Sequence, residues 1–251
     1  MPLKPSPPTH FLSLQLASAH LSRSLAAFRA DVTSPDGFAI PGEAIRPPGT
    51  LHMTLGVMSL KQDFSRQDAI ALLRQLQPRA ILSDRHPRRP PSRDDPKTPP
   101  PTAGYAISLR GLHSMGGPPS KTGVLYASPT DTEGILHPFC EELRRPFRDK
   151  GLIVEQRPLV LHVTVLNTIY VRHRRRDREE DTESGEAMRG GRRRRERLML
   201  DARALLDRYD GYAWVEDMPV TSLALCRMGA RKVDGVDGGD EVYDVEGEVE
   251  I

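Results

Sequence analysis

Between Phe11 and Leu16 the chain reads Phe-Leu-Ser-Leu-Gln-Leu, an alternation whose period of two predicts a half-buried strand and starts the core at His10 or Phe11. From Ser18 to Ala30 the spacing lengthens, with Leu21, Leu25, Ala26 and Phe28 at near-helical intervals, and the turn-forming Ser34-Pro35-Asp36-Gly37 follows. A loop from Pro41 to Thr50 delivers the chain into the apolar run Leu51 to Leu60, read as a buried strand. The next helix takes Ser65 as its N-cap, carries Ile70, Leu72, Leu73 and Leu76, and stops before Pro78. Strands are expected at Tyr105 to Leu112 and Thr122 to Ala127, joined by a turn around Gly116-Gly117-Pro118. A helix is expected from Thr130 to Lys150, with Gly151 as its cap. Leu159 to Tyr170 is a second buried strand. Asp201 caps a short helix running to Tyr209, Val215 to Arg227 holds one or two strands, and Tyr243 to Ile251 closes the chain as a strand. Strands and helices thus succeed one another in two similar halves.

Two stretches break this pattern. Residues 84–101 hold seven prolines and almost nothing apolar, and residues 171–197 hold eleven arginines against seven acidic residues. Neither can bury enough surface to offset the entropy of ordering, so both are expected to be disordered insertions. The expected organisation is a flexible lead at 1–8 and a single domain over 9–251, since 251 residues with 37% hydrophobic content support one good core.

The net charge of +2 predicts no partner, because arginines crowd the middle of the chain and acids its last twenty residues. Cys140 and Cys226 lie far apart without metal-ligand or disulfide spacing, which fits a reducing compartment. The N-terminal residues lack an apolar signal core and no run reaches a membrane-spanning length of about 20 residues, so a soluble intracellular protein is expected.

The candidate chemistry lies in a repeated pattern. Leu51-His52-Met53-Thr54-Leu55 and Leu161-His162-Val163-Thr164-Val165 both read hydrophobic-His-x-Thr-hydrophobic. In a strand, residues two apart share a face, so each His stands beside its Thr while the flanking apolar residues turn away. Two such faces make one cleft. Two imidazoles on opposite sides of a phosphorus centre can act as general base and general acid, and the threonine hydroxyls can donate to phosphate oxygens. A single His-x-Thr in a strand is commonly only a satisfied histidine with a strand-favouring neighbour; its duplication in matching contexts is what points to function. No third ligand at metal spacing accompanies the pair, so neither a metal nor another cofactor is expected.

The paired motifs, with the opening Thr9-His10-Phe11-Leu12-Ser13-Leu14, the string Leu161 to Thr168 and the segment Asp201 to Leu206, resemble the two-histidine (2H) phosphoesterase superfamily. Within it they resemble the A-kinase anchor protein 7-like phosphoesterase domain, as found in activating signal cointegrator 1 complex subunit 1, but without that protein's KH domain. The resemblance implies an α+β, bilobed 2′-5′ RNA ligase-like fold: two pseudo-symmetric antiparallel sheets flanked by helices around a central cleft. It assigns His52 and His162 to catalysis and Thr54 and Thr164 to phosphate binding. The implied activity is a metal-independent phosphoesterase acting on RNA or nucleotide ends bearing a 2′,3′-cyclic phosphate or a phosphodiester. The alternative is a non-catalytic nucleotide- or RNA-binding module of a transcription coactivator or repair complex. The expected protein is a monomer of the nucleus or cytoplasm, with no membrane partner.

Phe11 and Tyr105 are candidates to stack on a base, although aromatic residues in strands often serve only the core. Arg172, Arg174 to Arg176 and Arg192 to Arg195 could bind RNA phosphates or form a nuclear localisation patch, or else be a solvated charge run. The other six histidines, His10, His20, His86, His113, His137 and His173, are read as surface, loop or packing residues.

Overall fold

A computed structural model describes residues 6–85, 105–155, 157–171, 197–233 and 240–251 of the chain. The arginine cluster at Arg192 to Arg195, and all but the ends of the two expected insertions, lie outside the described residues. Among the described residues the elements run β1 (His10–Gln15), α1 (Ala19–Thr33), β2 (His52–Met58), α2 (Asp63–Gln75), α3 (Pro78–Arg85), β3 (Tyr105–Ser114), β4 (Val124–Thr130) and α4 (Leu136–Asp149). The series continues with β5 (Val163–Asn167), α5 (Arg203–Arg208), β6 (Ala213–Val220), β7 (Ser222–Arg227), β8 (Arg231–Val233), β9 (Asp240–Val242) and β10 (Val245–Glu250).

Eight strands form one antiparallel sheet in the order β10-β7-β1-β2-β5-β4-β3-β6, and β8 pairs with β9 in a small separate ribbon. The sequence leads one to expect two sheets. The two four-stranded halves are there, and they join through the pairing of β2 with β5 at Met53 and Val163. The halves are mirrored in order about that seam, with each motif strand innermost.

Helices cover one face, and they reach across the seam. Alternation in β1 sends Leu12 and Leu14 into the main core with Met53 and Leu55 of β2 and Val163 and Val165 of β5. Helix α1, although it follows β1, packs on β6 of the other half, where Phe28 meets Trp214 edge-on at 5.1 Å. Trp214 is fully buried, and its indole N–H donates to the Gly111 carbonyl at 2.7 Å, so its polar end costs nothing. In exchange α4 packs on β2, while α2 lies over β7 and β10.

Several element ends differ from the sequence reading for local reasons. Ser18, where the helical spacing begins, stands just outside α1 as its cap and accepts from the backbone N–H groups of His20 and Leu21. Ser65, by contrast, lies inside α2 with its hydroxyl donating to the Gln62 carbonyl, so Asp63 at the first turn supplies the favourable charge. Helix α2 does stop before Pro78, and that proline also opens a further helix, α3, because proline at the first helical position loses no hydrogen bond there. The Asp131 carboxylate accepts from Ile135 N–H at 3.0 Å and Leu136 N–H at 2.8 Å, which delays the start of α4 to Leu136. Pro146 stands near the end of α4, and Gly151 then takes a φ of +69° to turn the chain away. The strand expected from Leu159 to Tyr170 is ordered as a strand only over β5, and Thr168–Tyr170 form a 3-10 turn.

Gly56 is where β2 meets the segment leaving α4. A Cβ there would stand 2.4 Å from Ile153 Cδ1 and 3.0 Å from its Cγ1, and Ile153 is itself buried. Gly56→Ala is therefore expected to lower stability by about 1–3 kcal/mol through overpacking, and adding Ile153→Val should restore part of that by removing the clashing methyl. Urea denaturation of the two variants checks this; an unchanged midpoint for Gly56→Ala would contradict the packing.

Candidate functional site

Met53 and Val163 face each other at the seam and are both fully buried on the helix side. Alternation then sends His52, Thr54, His162 and Thr164 to the opposite face. Counting one residue outward from an antiparallel pair sets His52 across from Thr164 and Thr54 across from His162. The two histidines are diagonal neighbours, with backbones about 7–8 Å apart. All four predicted motif residues are brought together and are partly exposed.

Both rings are held in the same way. His52 donates from Nδ1 to the Thr50 carbonyl at 2.8 Å, and His162 donates from Nδ1 to the Val160 carbonyl at 2.7 Å. A carbonyl can only accept, so each Nδ1 carries a proton, which leaves Nε2 as the atom each ring offers for proton exchange. Among the described residues neither Nε2 has a partner, and neither threonine hydroxyl makes a hydrogen bond.

Residues 8–251 match the AKAP7 2′5′ RNA ligase-like domain. The chain belongs to this family. The resemblance read from the paired motifs is thereby borne out, and membership supports a phosphoesterase or nucleotide-binding role. An uncharacterized protein of Schizosaccharomyces pombe is 24% identical over 221 residues, which cover 88% of this chain and 86% of that protein. Among solved structures, Escherichia coli LigT complexed with 3′-AMP is similar with a TM-score of 0.49 and 16% identity, covering 98% of this chain and 99% of LigT. A Thermus thermophilus protein gives a TM-score of 0.47 and 17% identity, covering 96% and 97% of the two chains.

Around each histidine sits an aromatic neighbour. The Phe11 ring lies 4.6 Å from the His52 ring, and Tyr243 stands edge-on to both, 4.8 Å from Phe11 and 5.3 Å from His52. In the other half Tyr126, paired with Thr164, lies edge-on to His162 at 5.5 Å and close to His113 at 5.4 Å. Phe11 is 4% exposed, so its ring packs beneath His52 and offers a ligand no open face. Tyr105 is not brought to the histidines: its ring packs near Phe139 and its hydroxyl donates to Asp131. Both base-stacking expectations therefore give way to packing roles, because strand position alone does not tell a cleft aromatic from a core one.

Sequence reasoning missed Tyr126, His113 and Tyr243, none of which belongs to a motif. Tyr126 was within reach, since it lies on a predicted strand next to a motif strand. Tyr243 was not, because it arrives from the far end of the chain. Asn167 and Thr168, part of the string that carried the resemblance, hold the base of the long arginine-rich stretch. The Asn167 side-chain oxygen accepts from Ile169 N–H and from Arg197, and the Thr168 hydroxyl donates to the Gly123 carbonyl. Among the described residues no cluster of three or more His, Cys, Asp or Glu side chains is placed to hold a metal ion, and no helix is long and apolar enough to cross a membrane. Both thiols are buried; burial pushes Cys226, behind Phe11, up to about 11 and Cys140 higher still.

The electrostatics single out His52. Loss of water around its ring lowers its pKa to about 4, the hydrogen bond to Thr50 opposes that shift, and the positive charge of Arg46 and the proximity of the second imidazole add to it. His52 is therefore neutral at physiological pH. The unfolded chain takes up a proton near 6.5, so this group's contribution to stability is complete above that pH, declines as the pH falls and is lost below about 4. The loss from this one group is on the order of 3 kcal/mol. Urea titrations at neutral pH and at about pH 4 should show a smaller acid-induced loss in His52→Gln than in the wild type. Equal losses in the two proteins would refute the assignment.

Proposed function

We propose that the chain is a metal-independent phosphoesterase acting on RNA or nucleotide ends that carry a 2′,3′-cyclic phosphate or a phosphodiester. The observation that carries this reading is the matched pair of imidazoles, each tied back through Nδ1 and each presenting Nε2 to the same face. Such an arrangement fixes two proton carriers in orientation before substrate arrives, which is where positioned acid-base catalysis gains its rate.

His52, neutral at physiological pH, is the general base: its Nε2 takes the proton from a water attacking phosphorus. His162, diagonally across the seam, is the general acid and protonates the ribose oxygen as its bond to phosphorus breaks. The reaction opens the ring of a cyclic phosphate to a monoester with the water's atoms distributed between phosphate and sugar. Thr54 and Thr164 donate hydrogen bonds to the non-bridging oxygens, whose charge grows in the transition state. Proton transfer through the two rings calls for no metal ion.

Hydrolysis of short RNAs ending in 2′,3′-cyclic phosphate tests the proposal. Turnover should persist in EDTA and fall at least ~100-fold in His52→Ala and in His162→Ala, while Thr54→Ala and Thr164→Ala fall less. A wild-type protein that binds the RNA end without turning it over would instead be the binding module.

A further inference from the structure

The turn that delivers His52 to the seam also carries Arg46. This side chain is 5% exposed, yet among the described residues it has no carboxylate partner. Its backbone N–H donates to the Val165 carbonyl at 2.9 Å, and the neighbouring Ile45 bridges to Leu166, so the residue is fastened to the motif strand of the other half. Its guanidinium lies against the Tyr170 ring, 4.0 Å from the centroid, and its Nη2 donates to the Tyr243 hydroxyl at 3.4 Å. Tyr243 in turn touches the rings of Phe11 and His52.

A guanidinium has five N–H donors in a fixed fork and keeps its charge, and burying that charge without an anion is costly. Here the two tyrosines hold the group in place but neutralise none of the charge, and burial with other causes pushes the Tyr243 hydroxyl up to about 12, so it too stays neutral. A ring face and one long hydrogen bond leave most of the fork's donors unused. A phosphate oxygen would supply what is missing, and Arg46 is close enough to His52 for its charge to act on that ring.

We propose that Arg46 is the anion anchor of the cleft, binding a phosphate oxygen of a nucleotide or RNA end beside His52, with Tyr170 and Tyr243 setting the direction of its guanidinium. This rests on the cleft being the phosphate site proposed above, although it does not require turnover. It also adds a ligand contact from outside the two motifs. Tyr170, 43% exposed, also contacts the guanidinium, so loss of Arg46 would remove a ring contact as well as the charge.

The test compares wild type, Arg46→Gln and Arg46→Lys by calorimetric titration with 3′-AMP, adenosine and inorganic phosphate, alongside thermal unfolding and the cyclic-phosphate assay. Arg46→Gln should weaken 3′-AMP and inorganic phosphate at least tenfold and leave adenosine unaffected. Arg46→Lys, which keeps the charge but not the fork, should recover part of the loss. If Arg46→Gln does not fold, a 3′-AMP affinity of Arg46→Lys equal to wild type overturns the proposal. Equal losses for adenosine and 3′-AMP overturn it too, since they would mark Arg46 as a prop for the Tyr170 ring. Turnover that depends on both histidines, with phosphate binding indifferent to Arg46, defeats the anchor and leaves the enzyme standing. Arg46-dependent phosphate binding without turnover does the reverse, and a wild-type protein that binds no phosphate defeats both.

Discussion

Met53 and Val163 meet where β2 pairs with β5, and their burial on the helix side decides the direction of every side chain next to them. A shift of one residue in that pairing would turn the histidine of the displaced strand into the core and its apolar partner out to water. The hydrophobic effect therefore enforces the register of the site. Burying two side chains of this size contributes several kcal/mol, at about 1.5–3 kcal/mol each, so the misregistered sheet is not a competitive alternative. The chemistry-bearing groups gain their placement from residues that take no part in the chemistry.

Around that seam the two halves supply equivalent parts by similar means. Each histidine is braced by the carbonyl two residues before it, and each has an aromatic ring from the adjoining strand beside it: Phe11 from β1 for His52 and Tyr126 from β4 for His162. The halves then diverge. The β8–β9 ribbon packs against the turn before β2, where the Gly49 N–H donates to Asp240, and it brings Tyr243 to His52. Nothing corresponding to Tyr243 is placed beside His162 among the described residues. This extra cover accompanies the low proton affinity of His52, and it separates two residues that the sequence pattern makes identical.

Much of this was legible in the sequence because it depends on short-range pattern. The alternation in β1, the helical spacing of Leu21, Leu25 and Phe28 and the duplicated His-x-Thr are local, and the family resemblance rests on the last of these with the strings around it. What could not be read was anything set by long-range pairing. Arg46 sits in a loop that the sequence marks only as Pro- and Gly-rich, and its importance appears once Tyr170 and Tyr243, from distant parts of the chain, are seen around it. Phe11 and Tyr105 were misjudged for the same reason: a strand's alternation gives a side chain's face but not what already covers that face. Pro78 correctly marked the end of α2 but hid the start of α3, since proline suits both the residue after one helix and the first residue of the next.

The crossing of the helices gives the duplicated architecture a property that its symmetry conceals. Because α1 covers β6 and α4 covers β2, each half takes part of its roof from the other, even though α2 and α5 stay over their own halves. A fragment ending between the halves would leave Phe28 without Trp214 and Gly56 without Ile153, so cutting the chain there yields no smaller working unit. The repeat is thus symmetric in appearance and indivisible in folding. Partial products of this chain, whether from truncation or from stalled synthesis, would hold one histidine each and only one wall of the cleft.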